Sequence, residues 1–285
     1  VLFDEVPRMT WQRKQTITIS AARITAVSGV PGENYNPFDH ERLYLEFLSL
    51  DENNPNLIVD FIRSYGFLGV SQCGAKEPYE ESLVDIAHQI ARMKSITSLR
   101  NAIETEDLTQ ITNACDNFIV RNNTSPGSPA TYHLDALHDN ALPPFSNEPL
   151  SEGDYQKETY LDPCVSGLCP EESPLLIQWI MLAKAMIANE MNKELKNITP
   201  VLDWRGEKDK FVGSWTSIRL LSAMYAMFYM DLIQGSKIRK CRNETCSKYF
   251  VVYGDDDRKA YCNHSCASTQ SQREYRRREK EKKNK

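Results

Sequence analysis

The sequence predicts an α+β protein: a predominantly helical body with a few short strands over residues 1–236, then a small four-cysteine module over residues 237–285. Three observations predict it. Apolar residues recur at helical spacing through most of the body. Alternating β-branched residues are confined to short stretches. Four of the eight cysteines fall within the last 45 residues, where apolar residues are scarce. A chain of 285 residues suffices for one large domain or two modest ones, each with a core.

Taken in order, Thr16–Val27 alternates and reads as one or two strands. Asn54-Pro55 starts a helix, with Asn as N-cap and Pro at the first helical position. Leu57, Ile58, Phe61, Ile62 and Tyr65 share one face, and Gly66 ends it. Tyr79–Ile103 is a longer amphipathic helix, and Leu108, Ile111, Cys115, Phe118 and Ile119 mark another. Residues 122–173 are rich in Asn, Ser, Pro and Gly with poor periodicity, and read as an irregular excursion. Leu175–Leu195 resumes a helix. Thr199–Trp204 and Phe211-Val212 read as a hairpin. Ser214 is the expected cap of a last long helix, whose apolar residues from Ile218 to Ile233 cover most of its circumference and make it the central core helix. It runs to Gly235, directly before the module. The Tyr249–Tyr253 run reads as a hairpin strand, with Gly254-Asp255-Asp256-Asp257 as its turn.

Cys241-x4-Cys246 and Cys262-x3-Cys266 have the spacing of two metal knuckles. Four thiolates complete a closed tetrahedral zinc site with no position for water, hence structural rather than catalytic. The module needs such a crosslink, because Tyr249–Tyr253 and Tyr261 supply too little core for it. His264 reads as solvent-facing rather than as a ligand. Cys73 and Cys115 read as small buried apolar residues. A helix-prone run follows from Arg273 to Lys285, with Glu274/Arg278 and Glu279/Lys283 in favourable i,i+4 order but no apolar residue after Tyr275. Unpacked, it should fray in the free protein and order on phosphates. Arg273, Arg276, Arg277, Arg278 and Lys280 are the candidate nucleic-acid contacts, the arginines through their planar forks.

Charge divides the same way. Residues 237–285 hold 15 Lys+Arg against 7 Asp+Glu, whereas residues 1–236 hold 19 against 32. The formal −5 of the chain therefore combines an acidic body with a basic end, which confines any polyanion contact to that end. The first residues show no basic region followed by an apolar run, and the longest apolar stretch, Leu220–Met230, is too short to span a bilayer. A reducing cytoplasm, where paired cysteines hold metal, is the expected setting.

The stretch KIRKCRNETCSKYFVVYGDDDRKAYCNHSCASTQSQREYRRR resembles the CGNR-type zinc finger of bacterial proteins, and NPFDHERLYLEFLSL with FIRSYGFLG resembles the ABATE-like domain that precedes it. The resemblance implies zinc ligation by Cys241, Cys246, Cys262 and Cys266 in a treble-clef or ribbon-like hairpin and helix. It also implies a DNA-binding transcription regulator whose body senses a small-molecule or protein effector. The chain departs from the family after Cys266, where Ala267-Ser268-Thr269 stand in place of Gly-Asn-Arg, so the first arginine is Arg273.

The expected function is a zinc-dependent DNA-binding regulator, without a membrane role. One small reading module per chain is compatible with a homodimer. One alternative is a protein- or RNA-interaction module in which the knuckle is only structural. A second is an enzyme around His133, His138, Asp135 and the Cys164/Cys169 loop. No nucleophile–base spacing or glycine-rich phosphate loop supports the latter, so the protein is expected not to be an enzyme. Trp179, Trp204 and Trp215 read as core residues before ligand-pocket ones.

Overall fold

The computed structural model describes residues 9–13, 16–20, 22–27, 32–40, 42–70, 80–115, 120–121, 132–133, 175–205, 210–254 and 258–283. Most of the 122–173 excursion lies outside the described residues, as do Cys73, Asp135, His138, Cys164 and Cys169. The chain begins with β1 (Trp11–Arg13), β2 (Ile17–Ser20), β3 (Arg23–Ala26) and β4 (Glu33–Tyr35), then α1 (Leu43–Leu48) and α2 (Pro55–Tyr65). β5 (Glu80–Ser82) leads into α3 (Leu83–Thr105) and α4 (Leu108–Cys115). The pair β6 (Val120–Arg121) and β7 (Tyr132–His133) precedes α5 (Leu175–Leu195). The hairpin β8 (Ile198–Arg205) and β9 (Lys210–Ser217) leads to α6 (Leu220–Ile233). β10 (Lys237–Lys240), β11 (Tyr249–Val252) and α7 (His264–Lys283) form the C-terminal module. The strands pair antiparallel in small sheets: β1-β4, β2-β3-β5, β6-β7, β8-β9 and β10-β11. The described fold is thus mixed α+β and mainly helical.

Local chemistry explains the boundaries. Asn54 caps α2 by accepting the Asn56 N–H at 3.2 Å, and Pro55 opens it. Gly66 closes it at φ +90°. A Cβ there would stand 2.7 Å from the Gln12 carbonyl oxygen, so glycine is what lets β1 pass the helix end. The expected Tyr79–Ile103 helix starts later, because the Ser82 hydroxyl caps it by accepting the N–H groups of Val84 and Asp85. The preceding residues pair with β3 instead. Ser214 does not cap α6. It lies within β9, whose strand continues through Trp215 and Thr216 against Thr199 and Pro200. The helix begins at Leu220 after Arg219.

α6 is buried without a break from Leu220 to Phe228, and α5, α1 and β9 pack around it. Several polar groups that follow it inside are paired, although the Tyr225 hydroxyl is buried without a hydrogen-bond partner among the described residues. Asp231 accepts the Tyr44 hydroxyl at 2.6 Å and the Arg42 Nε–H at 3.0 Å. Glu194 accepts the Ser222 hydroxyl at 2.9 Å, and Glu190 is paired with Arg92 and Lys193. No helix among the described residues is long and apolar enough to cross a membrane.

Glu81 is a buried carboxylate facing a turn of backbone. It accepts the N–H groups of Leu68 at 2.8 Å and Val70 at 2.9 Å, and that of Gly69. Burial pushes its carboxyl up to about 7. The three N–H bonds pull the other way without overcoming burial, and Asp85 adds repulsion. A raised carboxyl means that the folded state holds a proton the unfolded chain has released. The contribution of Glu81 to stability is therefore greatest below the ordinary carboxylate range and falls as pH rises towards about 7. Urea unfolding at pH 4.5, 6 and 7.5 should show this decline in the parent protein and a flatter profile in Glu81→Gln; equal slopes would remove Glu81 as its source.

Candidate metal centre and basic helix

The register of β10 and β11 splits their side chains between two cores. Ile238 pairs with Val251, and both belong to the core of the body. Phe250 and Val252 alternate to the other side, where with Cys241 they form a small separate cluster lined by Cys246, Tyr261, Cys262 and Cys266. Tyr249 packs on the body side and donates its N–H to the Ser49 hydroxyl at 3.0 Å. The cysteine module is therefore built on a hairpin rooted in the body. This corrects the expected pairing: Tyr249–Val252 is a strand, but its partner precedes the first cysteine. The loop it closes holds the first knuckle and not the Gly254 turn.

Each knuckle is set by an asparagine. In the first, the Asn243 carbonyl accepts the Cys246 N–H at 2.8 Å, and its side-chain oxygen accepts the Thr245 N–H at 3.2 Å. The Cys241 N–H donates to the Lys248 carbonyl at 2.9 Å, closing the loop. In the second, the Asn263 side chain accepts the Cys266 N–H at 2.8 Å. Asn263 thus acts as N-cap of α7 and holds Cys266 in its first turn. His264 is exposed.

All four sulfurs lie within 4.8 Å of one another, with Cys246–Cys262 at 3.8 Å and Cys262–Cys266 at 3.5 Å. Zn–S bonds of about 2.3 Å require a tetrahedral edge of about 3.8 Å, so the group is of the right size for one ion. The donor chemistry agrees. Burial and hydrogen bonds among the sulfurs push the Cys262 thiol up to about 12. Burial also raises Cys246. At Cys241 burial is outweighed by N–H groups of Cys262 and Asn243 and by neighbouring thiols, and its pKa falls. Without a cation, Cys246 and Cys262 resist ionisation. A divalent ion replaces the protons and relieves that resistance. All four positions are protein sulfur, so such an ion would hold the fold together.

α7 is docked on the first knuckle by two residues. Gln270 is buried, accepts the Glu244 N–H at 3.4 Å and donates to the Glu244 side chain at 3.3 Å. Arg273, a candidate nucleic-acid residue, forks onto Asn243 Oδ1 at 2.8 Å and Thr245 Oγ1 at 3.0 Å. That clamp was not legible in the sequence, where Arg273 is merely the first of a basic run. Lysine is a point charge on a flexible stem and cannot reproduce the planar fork that places one N–H on each acceptor. Arg273→Lys is expected to cost about 1 kcal/mol and to speed metal loss to a competing chelator. Unchanged melting and release would show the fork to be idle.

Beyond Arg273 the helix continues to Lys283. Its ion pairs are Arg278–Glu274 at 4.0 Å and Lys282–Glu279 at 3.2 Å, the latter in place of the expected Glu279–Lys283. Arg276, Arg277 and Lys280 are exposed. At i+3, i+4 and i+7 from Arg273, they extend the face that meets the knuckle, whereas Arg278 stands aside. Trp179 packs partly buried against the core. Trp215 lines a cavity of about 670 Å³ between β4 and the β8–β9 hairpin, with Tyr35, Asn36, Asp39 and Thr216. His133 lies in β7, Cys115 is buried in α4, and the side chain of Trp204 lies outside the described residues. No protein-family model, no curated protein and no solved structure matches the chain.

Proposed function

We propose that this protein is a zinc-binding transcription regulator of the CGNR type, acting in a bacterial cytoplasm. A treble-clef-like module would present α7 to DNA, and the acidic body would receive an effector. The single observation that carries the reading is the cationic stripe Arg276, Arg277 and Lys280 on a helix anchored at its base by a four-cysteine cluster. An anchored helix presents its charges to phosphates at little ordering cost, and the arginine forks suit bidentate contact. Arg273 is given to the clamp in this reading, and Arg278 contributes at the edge of the stripe. The cavity beside Trp215 is the effector site in this proposal, since it combines an aromatic wall with several polar groups.

The test is fluorescence anisotropy of a labelled random-sequence duplex at two salt concentrations. The full chain is compared with one ending at Tyr275, which keeps Gln270 and Arg273 and hence the docked helix base. Salt-steep binding by the full chain that is lost on truncation is the expected result. No binding by either at low salt would refute the reading. Tighter binding to an RNA competitor than to the duplex would replace DNA by RNA.

A further inference from the structure

A second basic feature stands apart from the α7 stripe. The C-terminal end of α3 and the cysteine hairpin enclose a groove of about 590 Å³ lined by Lys237, Arg239, Lys240, Arg242 and Arg258. Glu104 is the one carboxylate among its described lining residues, and it faces Arg100 at 3.5 Å. We propose that this groove is a binding site for a polyphosphate anion.

The physical case rests on charge, shape and rigidity. Five basic residues line one concavity, and concave walls of low polarisability focus their summed field. A body with excess acid has no need of such a cluster for solubility. That field favours a multiply charged anion, and phosphates pack much negative charge into a small volume. Three of the five cations are arginines, whose forks match pairs of phosphate oxygens. The frame is fixed. Lys237, Arg239 and Lys240 are held in the β10–β11 ladder, and the Arg239 guanidinium donates to the Lys259 carbonyl at 3.2 Å. The Arg242 N–H donates to the Ala260 carbonyl at 3.0 Å, which ties the knuckle to the segment carrying Arg258. The volume exceeds that of a single phosphate and falls within the range of small-molecule sites, so it suits a nucleotide's phosphates or a short run of phosphodiester backbone. The groove joins α3 to the metal module, so an occupant would stiffen the junction between body and cysteines.

This inference goes beyond the DNA reading of α7 and does not need it. Isothermal titration of the full-length, zinc-loaded protein with sodium tripolyphosphate at low ionic strength is the test. Arg242 and Arg258 are exposed and lie outside the strands, so Arg242→Gln/Arg258→Gln should retain metal and fold. One saturable site is expected, weakened at least about tenfold in that variant and unchanged in Arg276→Ala/Arg277→Ala. Tripolyphosphate should also raise the melting temperature of the parent protein, a readout that needs no variant. Absence of saturable binding, parent-like affinity in the groove variant, or equal loss in the helix variant would each overturn the proposal. Competition by a nucleoside triphosphate or by a short single-stranded oligonucleotide then assigns the source of the phosphates, and displacement by neither overturns it as well. Loss of duplex binding in the helix variant with tripolyphosphate binding intact separates this site from the α7 surface.

Discussion

Cys262→Ala is expected to abolish stoichiometric metal binding and to lower the thermal midpoint by on the order of 10 °C, a loss of several kcal/mol. Cys262 is 3.8 Å from Cys246 and 3.5 Å from Cys266, so its sulfur joins the two knuckles. Without the ion, the module retains a cluster of Phe250, Val252 and Cys241, too small to order a segment of this length. The damage should not stop there. Ile238 and Val251 on the same hairpin are part of the body's core, so a loosened hairpin exposes body residues too. Hydrogen exchange should accelerate most from Cys241 to Cys266, next in β10 and β11, and least in α6. Cys115→Ala is the control, because that buried thiol lies in α4 within the body core, away from the cluster. Parent-like metal content in Cys262→Ala would contradict the assignment of the ligands.

Arg42→Ala is expected to destabilise the fold by about 3–5 kcal/mol while leaving the metal bound. Arg42 follows the first strands and joins three elements. Its Nε–H reaches the buried Asp231 carboxylate on α6 at 3.0 Å, and its guanidinium lies 5.0 Å from the ring centre of Tyr253, just past β11. Deleting it leaves the carboxylate with the Tyr44 hydroxyl as its side-chain donor and Arg100 as the cation acting on it. Arg42 also sits at φ +55°, where a side chain is strained. Arg42→Gly should therefore be less harmful than Arg42→Ala by about 1 kcal/mol, although it removes more atoms. Chemical unfolding of the two variants gives the order, and the reverse order would show that the backbone strain is not relieved by glycine.

The legible parts of this fold are those written in local chemistry. Asn54, Pro55 and Gly66 delimit α2 because each acts on its own backbone, and Leu175–Leu195 is bounded by its own periodicity. The cysteine spacing was equally readable, since a knuckle is a local turn. What escaped depends on partners distant in sequence. β10 is Lys-Ile-Arg-Lys, with one apolar residue, and is a strand because Tyr249–Val252 pairs with it across the knuckle. Ser214 looked like a cap because helix-forming residues follow it closely, but cross-strand pairing with Val201 claims it for β9. Arg273 looked like one more basic residue until Asn243 and Thr245 were brought to it. The basic groove had no sequence signature, because α3 and the hairpin that line it are over a hundred residues apart.

The most direct measurement is metal analysis of the purified protein combined with X-ray absorption at the zinc edge. One zinc per chain, surrounded by four sulfur scatterers at about 2.3 Å, is the predicted result. A metal-free protein of undiminished stability, or a shell in which nitrogen or oxygen replaces sulfur, would contradict the assignment of Cys241, Cys246, Cys262 and Cys266 as the centre around which the C-terminal module is built.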